Sequence, residues 1–261
     1  LRYQGGAISA LDAARVAQCV LGLRPMTDCP LNTANVSNSG GVSAYDASLI
    51  ARYAVGLTSP KSLVGYWVYE PYRRFYVNVQ ASQLDQNYAA YIRGDVTGNW
   101  GLATAVSAEA GDAAAGSVRL SAATDAAEGG QLIAPLHLAA PPAADLVAYQ
   151  FELTYDPALL QFVGTDAAGT LSEGWEVVWN EDAPGHVLVG AYAAQPLAGE
   201  GDLLRLLFGL TGASDSTAAL AAIHPAPVVF NEGAVVLPVT PDFGPLLQPS
   251  IYLPAVMGGG E

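Results

Sequence analysis

Basic residues, long hydrophobic runs and cysteines are all scarce in this sequence. Only 10 of its 261 residues are Lys or Arg, against 24 Asp and Glu, and Lys61 is the single lysine. The net charge of −14 repels phosphate backbones and anionic lipids, which argues against a nucleic-acid or membrane-surface role. No run of 18 or more apolar residues occurs, so no transmembrane helix is predicted.

Apolar residues and turn formers are abundant instead. Hydrophobic residues make up 51% of the chain, which is enough to bury a sizeable core and excludes global disorder. The 28 Gly and 17 Pro predict many turns and short strands. The first residue is Leu and no signal peptide is visible, so we interpret the chain as a processed product or as part of a longer one.

The two cysteines, Cys19 and Cys29, are separated by ten positions and have no histidine nearby. Two thiols are too few to make a metal site. The favoured interpretation is one disulfide formed in an oxidising compartment, and the alternative is a pair of free thiols in a cytosolic protein. We therefore expect an extracellular protein, either secreted or attached to a cell surface.

Residues 8–23 and 42–57 are two copies of one unit at an offset of 34 residues, with seven of sixteen positions identical. Apolar residues three and four apart predict a helix in each copy, and a glycine marks each helix end. Asp12 and Asp46 occupy equivalent positions, where a carboxylate either caps its helix or ligates a cation.

The twelve residues 35–46 have the layout of an EF-hand calcium loop. The oxygen-bearing side chains at its positions one, three, five and twelve are Asn35, Ser37, Ser39 and Asp46. This loop and its helix, which ends in Ala-Val-Gly-Leu, resemble a dockerin, the small calcium-dependent module that docks onto cohesins. The resemblance implies a further ligand, the backbone carbonyl of Gly41. Asn35 also begins an N-glycosylation sequon.

The family prefers carboxylates at positions one, three and five, and this loop has none there, so the resemblance implies weak calcium binding. Counted back from Asp12, the first copy has Leu1, Tyr3 and Gly5 at those positions, and none of these side chains is a ligand. Residues 1–60 are therefore interpreted as a degenerate dockerin-like duplication in which packing and the disulfide replace calcium. No cofactor is expected to be essential, although calcium can bind.

In dockerins, loop positions ten and eleven help to choose the partner. The resemblance places the following partner-binding residues at these positions: Ala10, Leu11, Ala44 and Tyr45. Both pairs are small plus apolar, which favours a dry interface, and the aromatic Tyr45 is expected to be the anchor.

Residues 61–100 form an aromatic β segment. Its six clustered rings are Tyr66, Trp67, Tyr69, Tyr72, Phe75 and Tyr76. The favoured interpretation is a β-hairpin whose rings pack on the helices, and the alternative is a stacking surface for sugars or for a partner.

The segment ends in a second half-loop, in which Asp95, Thr97 and Asn99 repeat the one-three-five spacing without an acid at position twelve. We predict that Asp12, whose own loop lacks a ligating front half, can complete a cation site with it. The alternative is a simple turn stabilised by Asp95.

Residues 101–116 are poor in large side chains and are predicted to be a linker. From residue 117 onward, alternating apolar residues and turn signals at intervals of about ten predict a β-sandwich over 117–247. The predicted strands are 118–122, 131–138, 146–155, 160–164, 175–180, 186–191, 203–211, 218–223, 228–230 and 234–238. An apolar tail, 248–261, follows.

Three sequence segments of the predicted sandwich, at 148–163, 203–208 and 230–234, resemble cohesins. The resemblance implies a nine-strand jelly-roll sandwich that binds a dockerin through one sheet face. The fold class is thus mixed and mainly β: a small EF-hand-like helical duplication, an aromatic β segment, and a cohesin-like sandwich.

Catalysis has little support in the sequence, because His137, His186 and His224 are far apart and lie in no metal-binding or hydrolase motif. We expect a non-enzymatic protein that assembles head to tail into an extracellular filament, with the dockerin-like region of one subunit on the sandwich of the next. We expect the linker to be too short for easy docking within one chain. The alternatives are a scaffold or adaptor that recruits other cohesin or dockerin proteins, and a carbohydrate-binding module.

Overall fold

The structure, a computed structural model, describes residues 6–100, 116–121, 123–124, 131–141, 144–211 and 216–243. The predicted tail at 248–261, nearly all of the predicted linker, and Leu1, Tyr3 and Gly5 lie outside the described residues.

Both predicted helices of the duplication are present. The described helices are α1 (Ala10–Val20), α2 (Leu31–Ala34), α3 (Ala44–Ala54) and α4 (Ser216–Ala221). Helices α1 and α3 pack against each other, and the glycine after each one, Gly22 and Gly56, has the positive φ that ends a helix in the left-handed region.

Serines, rather than the aspartates, are the N-caps of these two helices. Asp12 and Asp46 are third in their helices, and each carboxylate accepts a hydrogen bond from the backbone N–H of its cap, Ser9 or Ser43, at 2.9 Å. This arrangement is the capping box, which explains why the two copies keep both Ser and Asp.

The aromatic segment forms a two-stranded antiparallel hairpin, β1 (Trp67–Glu70) with β2 (Ala89–Ile92). The favoured interpretation of its rings is wrong for most of them. Trp67 is half-buried against the helical cluster, but the other five rings are exposed. The loop 71–88 between the strands carries three of these exposed rings, which therefore do not pack on the helices as expected.

The sandwich consists of two six-stranded sheets. The first has the order β14-β3-β5-β10-β7, with β4 beside β5. Its strands are β3 (Ser117–Ser121), β4 (Ala123–Thr124), β5 (Gln131–Ala139), β7 (Leu160–Asp166), β10 (Gly201–Leu210) and β14 (Val239–Asp242). All of its pairings are antiparallel except that of β14 with β3.

The second sheet has the order β13-β12-β6-β9-β8, with β11 beside β6. Its strands are β6 (Ala148–Thr154), β8 (Glu176–Ala183), β9 (His186–Tyr192), β11 (His224–Pro225), β12 (Val228–Phe230) and β13 (Val235–Leu237). Its inner face packs on the first sheet around large buried side chains such as Tyr149, Phe208 and Phe230. We call the second sheet's outer face the docking face.

The described part of the chain departs from the predicted strands in two ways. Its two sheets contain twelve strands rather than nine, because short strands at the edges extend both sheets. The predicted strand 218–223 is mainly helix α4, since its alanines are strong helix formers and its buried residues recur at helical spacing in Ala219, Leu220 and Ile223.

Candidate functional site

The helical module, residues 6–100, packs against the docking face of the sandwich of its own chain. One continuous apolar cluster joins α1 and α3 to this sheet, and its sandwich members are Val147, Ala148, Val178, Leu188 and Tyr192. The expectation that a short linker prevents docking within one chain is therefore wrong. The 15 residues 101–115 can span about 50 Å when extended, which leaves ample reach for folding back.

Gly190 of β9 lets the module approach the sheet closely. A Cβ atom built on Gly190 would lie 3.2 Å from Cγ1 of Val55 and 4.0 Å from Cβ of Ala10. Carbon atoms in good contact are about 3.5–4.0 Å apart, so a larger side chain has no room there. The absence of a side chain at Gly190 thus makes space for the helices.

Hydrogen bonds border this apolar contact. The side-chain amide of Gln18 in α1 donates to the carbonyl oxygen of Ala194 at 3.2 Å. On the other side, Oγ of Ser9 donates to Oε1 of Glu232, a sandwich residue, at 2.6 Å. These polar contacts fix the orientation of the helices on the docking face.

An unusual turn presents Glu232 to the helical module. Asn231 and Glu232 both have positive φ, 45° and 59°, a region that residues other than glycine rarely adopt. The Asn231 side chain holds the turn, because it accepts from the backbone N–H groups of Val147 and Ala148 and donates to the carbonyl of Asp145. A backbone held in this conformation marks the turn as a candidate functional element.

The structure brings the two predicted halves of the first cation loop together. Oδ1 of Asp12 accepts hydrogen bonds from the backbone N–H groups of Val96 and Thr97, at 2.8 and 2.9 Å, and from the Thr97 hydroxyl at 3.1 Å. The front half missing before Asp12 is thus supplied by residues 95–99, some 85 positions later in the chain.

Asp95 organises its half of this loop. Its Oδ1 accepts from the N–H groups of Gly98 and Asn99, at 2.7 and 3.2 Å, and its Oδ2 accepts from Trp100 at 3.1 Å. Burial raises the pKa of Asp95, against the opposing effect of these hydrogen bonds. The alternative of a turn stabilised by Asp95 describes the same geometry, so the turn and the half-loop are one feature.

Asp12 is fully buried, and its pKa is raised well above the ordinary value, chiefly by burial and then by the negative charge of Glu232. An uncompensated carboxylate in such a place is costly unless a proton or a cation accompanies it.

The groups around Asp12 are mainly backbone N–H donors, which already satisfy its carboxylate without a cation. Oδ1 of Asn99 is buried and has no hydrogen-bond partner, so one amide oxygen in this loop is left without a donor. Among the described residues, no three His, Cys, Asp or Glu side chains are arranged as a metal site by themselves. A cation here would therefore depend on amide, hydroxyl and backbone oxygens, unlike a typical EF-hand site, in which carboxylates dominate.

The second predicted loop also converges. Oγ of Ser37 lies 3.4 Å from Oδ1 of Asn35 and 2.9 Å from Oγ of Ser39, which in turn lies 3.4 Å from the carbonyl oxygen of Gly41. Asp46 closes the loop by accepting from the Ser37 N–H at 2.8 Å. The neutral oxygens therefore satisfy one another, and Asp46 brings the only charge.

The four predicted partner-binding residues fall into two environments. Ala10 and Leu11 are buried in the cluster that joins α1 to the sandwich. Ala44 and Tyr45 are exposed, with 55% of the Tyr45 surface open to solvent. The duplicated module therefore uses one of its two equivalent faces within the chain and leaves the other uncovered.

Cys19 and Cys29 form a disulfide in the structure, with their Cα atoms 6.5 Å apart. The bridge joins the end of α1 to the segment before α2. Asn35 is 8% exposed and its side-chain oxygen accepts from the N–H of Ser39, so a glycan at this sequon would require the loop to open.

Two basic residues and several exposed rings share the loop between β1 and β2. The guanidinium carbon of Arg73 lies 4.5 Å from the ring centre of Phe75, and that of Arg74 lies 5.5 Å from Tyr88. Tyr72 is the most exposed ring of the loop, at 85%. These exposed rings are open to a partner.

An apolar groove of about 350 Å³ lies beside the docking contact. Ala54 and Val55 at the end of α3 form one wall, and the docking face forms the other through residues that include Leu188 and Val229. The contact between module and sheet is therefore not closed along its whole length.

The three histidines make no contact with one another, which agrees with the prediction from the sequence. His186 contacts Asp182 and Glu152, which raise its pKa, and His137 contacts Asp202. His224 begins β11. Among the residues described, no helix is both long and apolar enough to cross a membrane.

Two residues of the site had no signal in the sequence, Gly190 and Glu232. Gly190 is one of 28 glycines, and nothing in its neighbours marks it as a contact point. Glu232 lies in a sequence segment that resembles cohesins. Its contact with Ser9, however, depends on the packing of two modules that are distant in the chain.

Residues 116–233 match the family model of the cohesin domain. The helical module lies outside this match. A comparison with curated proteins finds no match.

Several similar solved structures are cohesins, and each covers about half of this chain. The sixth cohesin of scaffoldin B from Acetivibrio cellulolyticus, solved with a Cel5 dockerin mutant, is 18% identical, with 49% of this chain and 99% of that chain covered and a TM-score of 0.37. A non-cellulosomal cohesin from Archaeoglobus fulgidus is 13% identical, with 48% and 85% covered and a TM-score of 0.34. The second type II cohesin module of the A. cellulolyticus adaptor scaffoldin ScaA is 16% identical, with 49% and 95% covered and a TM-score of 0.32.

Proposed function

We propose that this chain is a non-enzymatic assembly protein in which the helical module and the sandwich are complementary halves of one interaction. The observation that carries the proposal is the continuous apolar cluster that joins α1 and α3 to the docking face. Burial of apolar surface is the main favourable term in association, and this cluster contains few charges. The cohesin match of residues 116–233 supports a protein-binding role for the sandwich.

The charges of the two halves are also complementary. Residues 1–100 carry eight basic and six acidic side chains, a net charge of +2, whereas residues 101–261 carry two basic and eighteen acidic side chains, a net charge of −16. Opposite net charges steer two surfaces together and disfavour contacts between two sandwiches.

The same contact can form within one chain or between two chains. The 15 residues 101–115 hold the module near its own sandwich, and a neighbouring chain competes when the protein is concentrated. A contact between the module of one chain and the sandwich of the next is head to tail, so it propagates into a filament unless it closes into a ring. We therefore propose assembly by exchange of the docked module.

Light scattering of the full chain tests this proposal. At low concentration the mass should be that of the 26.9 kDa monomer, and concentrated samples should contain species at multiples of that mass. A monomer at every concentration would contradict assembly by exchange, and it would favour an adaptor whose docking face is opened by another dockerin-bearing protein.

The disulfide between Cys19 and Cys29 supports an extracellular location, since such bonds persist in oxidising compartments.

Carbohydrate binding is a second candidate function, favoured by the exposed rings of the loop 71–88. Rings that are open to solvent can stack on sugar faces. Affinity electrophoresis in polysaccharide gels, with the Tyr72→Ala and Phe75→Ala variants, tests it. Retardation that both variants abolish would support sugar binding, and equal mobility with and without polysaccharide would contradict it.

A further inference from the structure

The groove beside the docking contact is apolar where the outer face of a sheet is normally polar. Leu188 of β9, Val229 of β12 and Val236 of β13 line it, and the residues before and after each of them lie in the core between the sheets. The three side chains therefore point outward. An antiparallel sheet face that is open to water usually carries polar side chains at such positions, so this pattern indicates a face that something covers.

The helical module covers only one side of the groove. Leu188 packs against the cluster that joins the module to the sheet, but Val229 and Val236 belong to neither apolar cluster of the described residues. These two valines are directly opposite each other on neighbouring strands, so they form one apolar patch. The end of α3, at Ala54 and Val55, forms the other wall.

The groove extends to an edge of the second sheet. Strand β13, which carries Val236, is the last strand in the order of that sheet and is only three residues long. Among the described residues it pairs with β12 alone. A segment of chain that runs past this edge can therefore enter the groove from the side.

The tail of the chain has the composition that the groove requires. Residues 251–253, Ile-Tyr-Leu, are three large apolar side chains in a row, and no charged residue occurs between Asp242 and Glu261. Glu152 borders the groove, and residues 101–261 carry a net charge of −16, so an uncharged segment avoids the repulsion that an acidic one would meet. The linker 101–115 offers only Leu102 and Val106 as large apolar side chains.

The tail also begins close enough to reach the groove. The described chain ends at Phe243, which packs against the sandwich core. Seven residues separate Phe243 from Val236, so the two are at most about 25 Å apart, and Tyr252 follows Phe243 by nine residues, which span up to about 30 Å. The tail can therefore return to the groove of its own sandwich.

We propose that residues 251–253 of the tail occupy this groove in the same chain. The tail would then contact the end of α3 on one side and the valines of β12 and β13 on the other. A segment that binds both the helical module and the sandwich favours the docked state over the undocked one, because it loses one wall of its site when the module leaves.

The size of the effect follows from burial and from the tether. Full burial of one large apolar side chain corresponds to a factor of roughly ten or more in an equilibrium constant. A short flexible connection holds the tail at an effective concentration in the millimolar range. The tail of the same chain should therefore outcompete the tail of another chain in dilute protein.

The first test is photo-cross-linking of the full chain, diluted until light scattering gives a monomer. Benzoylphenylalanine replaces Tyr252, and mass spectrometry locates the linked residues. We expect links to Val229, Val236 or Val55 within one chain, and we expect Val236→Asp to reduce them, because a charge on the wall of the groove excludes apolar side chains. Links only to other surfaces, links only between chains, or no links would overturn the proposal.

The second test is hydrogen exchange of the same dilute protein. Tyr252→Asp should make the amides of β12 and β13 exchange roughly tenfold faster, since a carboxylate at this position expels the tail from the groove. The matched control is Gln248→Asp, which adds the same charge to the tail at a position that is already polar and should leave exchange unchanged. Equal exchange in the wild type and Tyr252→Asp would overturn the proposal. Because both tests use the monomer, neither result depends on whether chains assemble into filaments.

Discussion

Gly190 is the position where one added side chain should separate the two modules without disturbing either one. It lies within β9, and its φ is not in the left-handed region, so any L-residue is compatible with the strand backbone. A leucine there would meet the helices, whereas the sandwich core behind the sheet is untouched.

The structure sets the magnitude of the effect. In Gly190→Ala the new Cβ lies 3.2 Å from Cγ1 of Val55, a few tenths of an ångström closer than a normal contact, so the cost should stay below about 1 kcal/mol. Gly190→Leu adds three more carbons where Val55, Val178 and Ala10 already lie. Overpacking of about 1–3 kcal/mol corresponds to roughly a 5- to 150-fold loss in the ratio of docked to undocked chain.

Small-angle scattering and hydrogen exchange at micromolar concentration measure this ratio. We expect a larger radius of gyration and faster exchange in α1 for Gly190→Leu, and a result close to wild type for Gly190→Ala. The control is Gly209→Leu, because Gly209 is a strand residue of the other sheet whose added Cβ would lie 3.8 Å from Val163, an ordinary contact. Unchanged compactness and α1 exchange in Gly190→Leu would refute the docking contact.

Three further predictions concern single parts of the structure. Replacing Cys19 and Cys29 by Ser should cost about 2–3 kcal/mol, because the bridge closes a loop of ten residues, and urea denaturation should place the loss in the helical module. Tyr45→Asp should leave α1 exchange unchanged because Tyr45 is exposed, and a loss of assembly in light scattering would assign the uncovered face to chain-to-chain contact. Tyr155→Phe should destabilise the sandwich by about 1–2 kcal/mol in thermal denaturation, since the Tyr155 hydroxyl donates to Glu181 and accepts a backbone N–H bond; equal melting of both proteins would contradict this.

The duplication and most of the sandwich strands could be predicted from the sequence because both depend on local pattern. The repeat around Asp12 and Asp46 combines a capping box with helical spacing, and the sandwich strands alternate apolar and polar residues. The strand prediction for residues 218–223 was wrong because their apolar residues fit both the strand period and the helix period. The alanine-rich composition of this segment favours a helix.

The site itself depends on contacts between distant segments, which local patterns do not encode. The pairing of Asp12 with residues 95–99 could be proposed because each is half of a recognisable loop. The role of Glu232 could not, since it follows from a turn held by Asn231 and from the packing of the helices on the docking face. The prediction that the rings of the loop 71–88 pack on the helices was wrong for the same reason. High β-propensity predicts a strand, but it does not predict which residues pack against it.

The most direct test of the central claim is a disulfide trap across the docking contact. A Cβ atom at Gly190 would lie 3.2 Å from Cγ1 of Val55, so Val55→Cys with Gly190→Cys should form a bond on mild oxidation. Non-reducing gels should show a cross-linked monomer from dilute protein and a ladder of linked chains from concentrated protein, and each single variant should give at most a dimer. Oligomers that form without this cross-link, or no cross-link at any concentration, would contradict the claim that the helical module and the sandwich are the two halves of one exchangeable contact.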